Sequence, residues 1–95
     1  MPYIPEQNRP QYDELLEPLA RRLVLNGASA GDLNYVITTL LITLWHHAPG
    51  YANGSKLRGV LNDVNSEFYD TIMRPYEDRK IAENGPVTPL DLGGL

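Results

Sequence analysis

Cysteine is absent from this chain of 95 residues. A disulfide framework and a zinc site with Cys ligands are therefore excluded, and an intracellular protein is favoured. Positive charge is scarce as well, because eight Lys and Arg stand against twelve Asp and Glu, which gives a net charge of −4. Binding to a nucleic-acid backbone needs clustered cations, so this balance argues against a nucleic-acid partner.

Long apolar segments are also missing. The N-terminus, MPYIPEQNRP, has neither the basic nor the apolar segment of a signal peptide. The most apolar run, residues 33–45, is too short to cross a membrane, which takes about 20 apolar residues. These absences predict a cytoplasmic protein that has no membrane partner.

Catalytic and metal-binding motifs are absent. The chain contains no P-loop, no Rossmann fingerprint, no G-x-S-x-G and no H-E-x-x-H. His46 and His47 are adjacent at the end of an apolar run, and adjacent residues of a helix do not face the same way, so they make a poor metal pair. A helix C-terminus, where the dipole favours cations, explains them instead. The sequence predicts a protein that is not an enzyme and binds no metal or cofactor.

The most informative stretch is LNYVITTLLITLW, residues 33–45, which has no charged residue and nine apolar or aromatic residues out of thirteen. On a helix these side chains cover most of the circumference, and such a helix needs burial on nearly all sides. A chain of 95 residues has few other elements that can provide this burial. The stretch therefore predicts a homo-oligomer, with functional sites at the subunit interfaces.

Apolar periodicity predicts an all-α fold of three helices, over about 10–25, 32–47 and 55–73, with a kinked C-terminal helical extension. Pro75 is expected to produce the kink, and Asn84-Gly85 ends the extension. Prolines within residues 1–9 predict an extended N-terminal arm. Residues 1–85 thus form a single predicted helical domain, and residues 86–95 a predicted flexible tail.

Three segments mark the predicted helix ends. Gly27 can take the left-handed conformation that ends the first helix. Ser29 and Asp32 have the spacing of a capping box, so either one is a candidate for the cap of the second helix. The segment APGYANGS, residues 48–55, predicts a loop, because Pro-Gly and Asn-Gly pairs favour turns, and Ser55 is the expected N-cap of the third helix.

Several sequence pieces occur in a characteristic order: MPYIP at the N-terminus, Arg9, GDLNY at residues 31–35, Gly-Tyr-Ala at residues 50–52, and FY…PYEDRKIAENG at residues 68–85. Together these pieces resemble a short, uncharacterised family found in bacteriophage and archaeal genomes. Their order and spacing cover most of the chain and end near Gly85. The family has no assigned chemistry, so the resemblance implies a viral or mobile-element setting, in which small proteins often inhibit or sequester components of host defence.

Candidate ligand-binding residues combine rings, amides and cations. Tyr76 and Lys80 are four residues apart on a predicted helix, so a ring and a cation lie side by side and can hold a flat anionic group. The alternative is that residues 75–81 form a solvated helix face. Asn34, on a helix that needs burial, requires hydrogen-bond partners that are either structural or part of a ligand. The full candidate set is Arg9, Tyr12, Asn34, Tyr35, Tyr76 and Lys80.

These residues favour a non-enzymatic, phage-type accessory protein. It is expected to sequester a small anionic, nucleotide-like ligand at subunit interfaces, and so to counter host defence. Tyrosine rings can stack on a base, and Arg or Lys from two subunits can hold phosphate. Two alternatives stay open: an inhibitor that binds and blocks a host protein, and a purely structural assembly protein.

Overall fold

The computed structural model describes residues 4–85, which are helical almost throughout. The elements are a 3₁₀ turn Glu6–Asn8, helix α1 Pro10–Leu25, helix α2 Ala30–His47, helix α3 Tyr51–Phe68, a π-helical turn Tyr69–Met73, and helix α4 Arg74–Asn84. No strand occurs within this range, and the all-α prediction is confirmed. The predicted flexible tail, 86–95, lies outside the described residues.

Helix α1 has the bounds that the sequence predicts. It begins with Pro10, whose missing N–H needs no partner at a first helical position, and it continues unbroken past Pro18. Glu17 and Arg21 form an ion pair one turn apart on its exposed surface. One continuous helix therefore contains the whole apolar stripe of this segment.

The end of α1 is set by two consecutive residues with positive φ. Gly27 has a φ of +90°, and its N–H donates to the carbonyl of Val24 at 3.0 Å. Ala28 has a φ of +51°, and its N–H donates to the carbonyl of Leu23 at 2.7 Å. This pair of hydrogen bonds is the Schellman pattern, which confirms the prediction that Gly27 ends the helix.

Residues 6–8 of the N-terminal arm and the start of α2 differ from the sequence prediction. Residues 6–8, predicted to be extended, form a 3₁₀ turn in which the N–H of Asn8 donates to the carbonyl of Pro5 at 2.9 Å. Helix α2 begins at Ala30 rather than at residue 32. Its cap is Ser29, whose hydroxyl oxygen accepts from the N–H of Asp32 at 3.0 Å. The capping-box spacing was therefore informative, and Ser29 is the cap.

The loop predicted over residues 48–55 is wrong for its second half, because α3 begins at Tyr51. Asn53 lies inside α3, and its side-chain amide donates to the carbonyl of Leu44 near the end of α2 at 3.1 Å. Gly54 also lies inside α3, and a Cβ built there would be 3.2 Å from a ring carbon of Trp45. The Asn-Gly pair closes a tight corner between two helices instead of forming a turn.

The third predicted helix does not run evenly to residue 73. Helix α3 ends at Phe68, and the wider π-helical turn Tyr69–Met73 connects it to α4. Pro75, in the first turn of α4, has no N–H to donate to a carbonyl four residues earlier, and its ring needs space there, which a π turn provides. The extension ends as predicted, since Gly85 has a φ of +82° and its N–H donates to the carbonyl of Ile81.

The chain divides into two units, Met1–Leu57 and Arg58–Leu95, with the boundary inside α3. Among residues 4–85, no side chain of either unit is buried. In α2 the exposed fractions are 72% for Tyr35 and 55% for Leu40, whereas Val36 and Leu41 are half-buried. The burial that the apolar residues of α2 require is therefore not supplied by the described residues of a single chain. No helix of this range is long and apolar enough to cross a membrane.

Candidate ligand-binding residues

Helix α4 presents an aromatic ring with two cations close to it. Lys80 Nζ lies 5.7 Å and Arg79 Cζ lies 5.9 Å from the centroid of the Tyr76 ring, and Tyr76 is 50% exposed. At such distances an exposed cation–π contact is worth about 0.5–1 kcal/mol. The structure places Tyr76 and Lys80 side by side, as their spacing predicts. These three residues are called the Tyr76 platform below.

Arg79 is the member of the Tyr76 platform that the sequence prediction missed. It follows Tyr76 by three residues, and residues three and four apart are neighbours on a helix surface. The signal was therefore present in the spacing, but only the four-residue neighbour Lys80 was weighed. With Arg79 included, two cations share one ring, which makes the group better suited to an anion than a single cation would be.

Acidic neighbours limit the positive charge of the Tyr76 platform. Lys80 Nζ forms an ion pair with Glu83 Oε2 at 3.2 Å, and both side chains are about half exposed. An anionic ligand has to compete with the Glu83 carboxylate for Lys80. Because exposed ion pairs contribute only about 0–1 kcal/mol, the contact with Glu83 holds Lys80 weakly.

A second tyrosine of the same unit lies close to a carboxylate. The hydroxyl of Tyr69, in the π-helical turn, donates to Glu77 Oε2 at 3.1 Å. This hydrogen bond and the negative charge of Glu77 raise the pKa of Tyr69 above its usual value of 10.0, and nearby Arg74 opposes the shift. The bond links the π-helical turn to the first turns of α4.

We expect Glu77→Gln to lower the pKa of Tyr69 toward that of an ordinary tyrosine, because the charge that disfavours the phenolate is removed. Because the pKa of Tyr69 is higher in the folded chain than in the unfolded chain, the contact stabilises the folded state at every pH below the unfolded-state pKa. This stabilisation is lost as the pH rises through the folded-state pKa. An absorbance titration at the phenolate band measures the shift, with Tyr69→Phe identifying the group. If the last tyrosine to ionise is unaffected by Glu77→Gln, the contact is absent in solution.

One side of α2 contains Asn34 and Tyr35 in a shared open hollow of 520 Å³. Gly31, Thr38 and Ile42 also line it, at the three- and four-residue spacings of one helix face. Asn34 Oδ1 accepts a hydrogen bond from the Thr38 hydroxyl at 3.1 Å, so its amide has a structural partner. Tyr35 is 72% exposed at this hollow, which leaves its ring accessible.

The two remaining candidates lie at the start of α1. Arg9 Nε donates to the carbonyl of Ile4 at 3.1 Å, which holds the N-terminal segment against the helix start. The N–H of Tyr12 donates to the Arg9 carbonyl at 2.9 Å, and the Tyr12 side chain is 53% exposed. The structure thus brings the candidates together in pairs: one pair in α4, one in α2 and one at the start of α1.

Acidic and histidine side chains do not form a metal centre in the part of the chain that is described. No group of three or more His, Asp or Glu side chains within residues 4–85 is arranged to hold a metal ion. His46 and His47 occupy the last turn of α2, which is the position that the helix-dipole argument gives them.

Comparison with known proteins finds one family. Neither a curated protein nor a solved structure matches the chain. The family described as "Domain of unknown function (DUF6899)" matches residues 1–87, so the match includes every described residue and ends at the start of the C-terminal tail. This coverage shows that the chain belongs to the DUF6899 family of domains of unknown function.

Proposed function

We propose that this chain is a non-enzymatic, phage-type accessory protein that assembles into a homo-oligomer in the host cytoplasm and sequesters a small anionic, nucleotide-like ligand, thereby countering host defence. The observation that carries the ligand proposal is the Tyr76 platform, a half-exposed ring with two cations within 6 Å of its centroid. The viral setting and the anti-defence role rest on the family resemblance of the sequence pieces.

The chemistry of the Tyr76 platform suits a nucleotide because it combines two kinds of contact. The Tyr76 ring offers a face on which a base can stack, and stacking on an aromatic side chain is worth about 1–3 kcal/mol per base. Arg79 and Lys80 provide N–H donors for phosphate oxygens, and Arg can bind two of them at once. A ligand with a flat ring and a phosphate uses both contacts, whereas phosphate or nucleoside alone uses only one.

Self-assembly is supported by the exposure of the apolar side chains. Leu40 is 55% exposed, Leu33 48% and Leu44 50%, and all three lie in the uncharged part of α2. Burying a large apolar side chain contributes about 1.5–3 kcal/mol, so burial of several such side chains between copies strongly favours association. Neighbouring copies can then also contribute the predicted ligand residues of the N-terminal unit, which are Arg9, Tyr12, Asn34 and Tyr35.

The test is a binding titration with four ribonucleoside monophosphates, with inorganic phosphate and with the corresponding nucleosides. We expect at least one nucleotide to bind and to raise the melting temperature, because a ligand of the native state stabilises it. Lys80→Ala should weaken binding about tenfold or more, since a charge-assisted hydrogen bond is worth roughly 1.5–3 kcal/mol. Tyr76→Ala should remove the preference for nucleotide over phosphate.

Two control variants make this test specific. Lys56→Ala removes the same charge from α3 and should leave affinity nearly unchanged. Glu83→Gln removes the competitor of Lys80 and should tighten binding by about threefold, an effect that loss of folding cannot imitate. The ligand proposal fails if no nucleotide binds, or if Lys80→Ala and Lys56→Ala have equal effects.

Location at a subunit interface is tested by mixing variants. One chain carries Tyr76→Ala and the other carries Asn34→Ala with Tyr35→Ala. If each site combines residues of two copies, re-assembled mixtures regain part of the ligand capacity that both variants lack alone. Recovery that never exceeds the sum of the separate variants contradicts an interface site, while leaving the Tyr76 platform itself in place.

A further inference from the structure

Helix α2 has a regular apolar stripe. Leu33, Ile37, Leu40 and Leu44 follow spacings of four, three and four residues, and they are 37–55% exposed. This alternation of three and four is the spacing at which side chains of one straight helix meet those of another. The four residues are called the leucine seam below.

The leucine seam lies on a side of α2 that the corner with α3 leaves open. Two contacts make that corner: the Trp45 ring lies against Gly54, and the Asn53 amide donates to the backbone carbonyl of Leu44. The side chain of Leu44 remains 50% exposed. At 3.6 residues per turn, Trp45 is about 110° around the helix from the middle of the leucine seam. Tyr35 and Ile42, which line the hollow, lie nearly opposite the leucine seam on the circumference of α2. The leucine seam is therefore a surface separate from the hollow.

The leucine seam is centred on the midpoint of α2. Helix α2 runs from Ala30 to His47, and its centre falls between residues 38 and 39. The leucine seam runs from Leu33 to Leu44, and its centre falls at the same point. If two copies of α2 pack antiparallel about this centre, Leu33 of one lies opposite Leu44 of the other, Ile37 lies opposite Leu40, and both helices overlap over their full length.

The charges of α2 favour the same orientation. Residues 33–45 carry no charge, so nothing in the leucine seam repels a second copy or attracts a charged foreign partner. Asp32 is in the first turn, and His46 and His47 are in the last. Antiparallel packing brings Asp32 of one copy near His47 of the other and sets the two helix dipoles in opposite directions, whereas parallel packing aligns like charges and like dipole ends.

We propose that α2 packs antiparallel against α2 of a second copy through the leucine seam. This contact rests on the proposed self-assembly and specifies which surface and which orientation produce it. The contact is isologous, because each copy contributes the same residues and the two-fold axis passes through the centre of α2. The leucine seam of each copy is thereby covered by an identical, uncharged surface.

The absence of cysteine allows a direct test by site-specific cross-linking of the full chain. Leu33→Cys and Leu44→Cys chains are prepared separately, mixed under conditions that exchange subunits, and treated with a short bismaleimide. We expect the mixture to form a covalent dimer of Leu33→Cys with Leu44→Cys. Leu33→Cys alone should not form one, because the two thiols of an antiparallel pair lie about 16 Å apart along the axis.

The control is a mixture of Thr38→Cys and Thr39→Cys chains, which occupy matching levels along the antiparallel pair but lie away from the leucine seam. This mixture should cross-link at least tenfold less. Circular dichroism establishes that each variant keeps its helix content, and light scattering gives the particle mass of the unmodified protein.

The outcomes separate this proposal from the proposed function. A monomeric mass overturns both the self-assembly and the pairing of α2. An oligomeric mass without the cross-link between residues 33 and 44 overturns the pairing alone. A strong cross-link of Leu33→Cys with itself overturns the antiparallel orientation. Loss of nucleotide binding with an intact cross-link affects only the ligand proposal.

Discussion

Leu40→Asp is expected to disperse the oligomer into monomers or to unfold the chain. Leu40 is 55% exposed in a single chain, so an Asp placed there meets water if the protein works as a monomer. Surface substitutions of that kind change stability by about 0.5 kcal/mol or less. If a second copy covers the leucine seam, the same Asp becomes a buried charge without a partner, which costs roughly 3–5 kcal/mol per subunit.

The size of the change caused by Leu40→Asp therefore distinguishes an exposed position from one that a second copy covers. Sedimentation equilibrium across a dilution series gives the association constant, and thermal unfolding at matched concentration gives stability. Tyr51→Asp makes a similar change at a side chain that is 91% exposed, and it should leave both quantities nearly unaltered. Leu40→Met keeps the volume and apolar character of the side chain and should keep the assembly.

An outcome in which Leu40→Asp and Tyr51→Asp behave alike would show that α2 remains in water. The apolar surface of α2 would then lack the cover that the proposed assembly gives it. Dissociation by Leu40→Asp alone supports assembly through α2, and together with the cross-linking result it assigns the contact to the leucine seam.

The sequence predicts the helical segments well because their ends depend on local chemistry. Proline at the start of α1 and glycine at its end act within a few residues, so the bounds Pro10–Leu25 follow from the sequence alone. The end of α4 before Gly85 has the same cause. Where a helix end depends only on neighbouring backbone groups, residue spacing is sufficient evidence.

Two errors arose where the local sequence does not determine the path of the backbone. An Asn-Gly pair favours a turn in isolation, yet Asn53 bonds to the Leu44 carbonyl of another helix and Gly54 provides space for the Trp45 ring. Neither partner is visible from the local sequence. The π-helical turn before α4 was missed because Pro75 indicates a disturbance of the ladder but does not specify whether the helix breaks, bends or widens.

For the candidate ligand residues too, contacts within one helix could be predicted from the sequence, whereas exposure could not. The pairing of Tyr76 with Lys80 was predictable, because both residues lie on one helix at a spacing that makes them neighbours. Asn34 was a candidate because its amide needs hydrogen-bond partners that are either structural or part of a ligand, and Thr38, one turn later, supplies a structural one. Exposure of α2 within a single chain could not be derived from spacing, because it depends on where the other helices lie.

Replacing glycine by alanine should have opposite effects at two positions of this chain. Gly27 has a φ of +90°, and no atom lies near enough to obstruct an added Cβ, so the cost of Gly27→Ala is backbone strain of about 1 kcal/mol or more. Gly59 lies in the interior of α3, also with open space around it. At that position, Gly59→Ala reduces the conformational entropy of the unfolded chain, so it should stabilise the folded protein by roughly 0.5–1 kcal/mol.

The two variants are thus matched in chemistry and differ only in backbone conformation. Their melting temperatures should differ by roughly 10 °C, with Gly27→Ala below the parent protein and Gly59→Ala above it. Scans must share one protein concentration, since the melting temperature of an oligomer depends on it. Ala28→Gly, at a φ of +51°, provides the reverse substitution and should raise the melting temperature. If Gly27→Ala stabilises the protein, α1 does not end in solution through the left-handed cap, and the path of the chain from α1 into α2 differs from the one described.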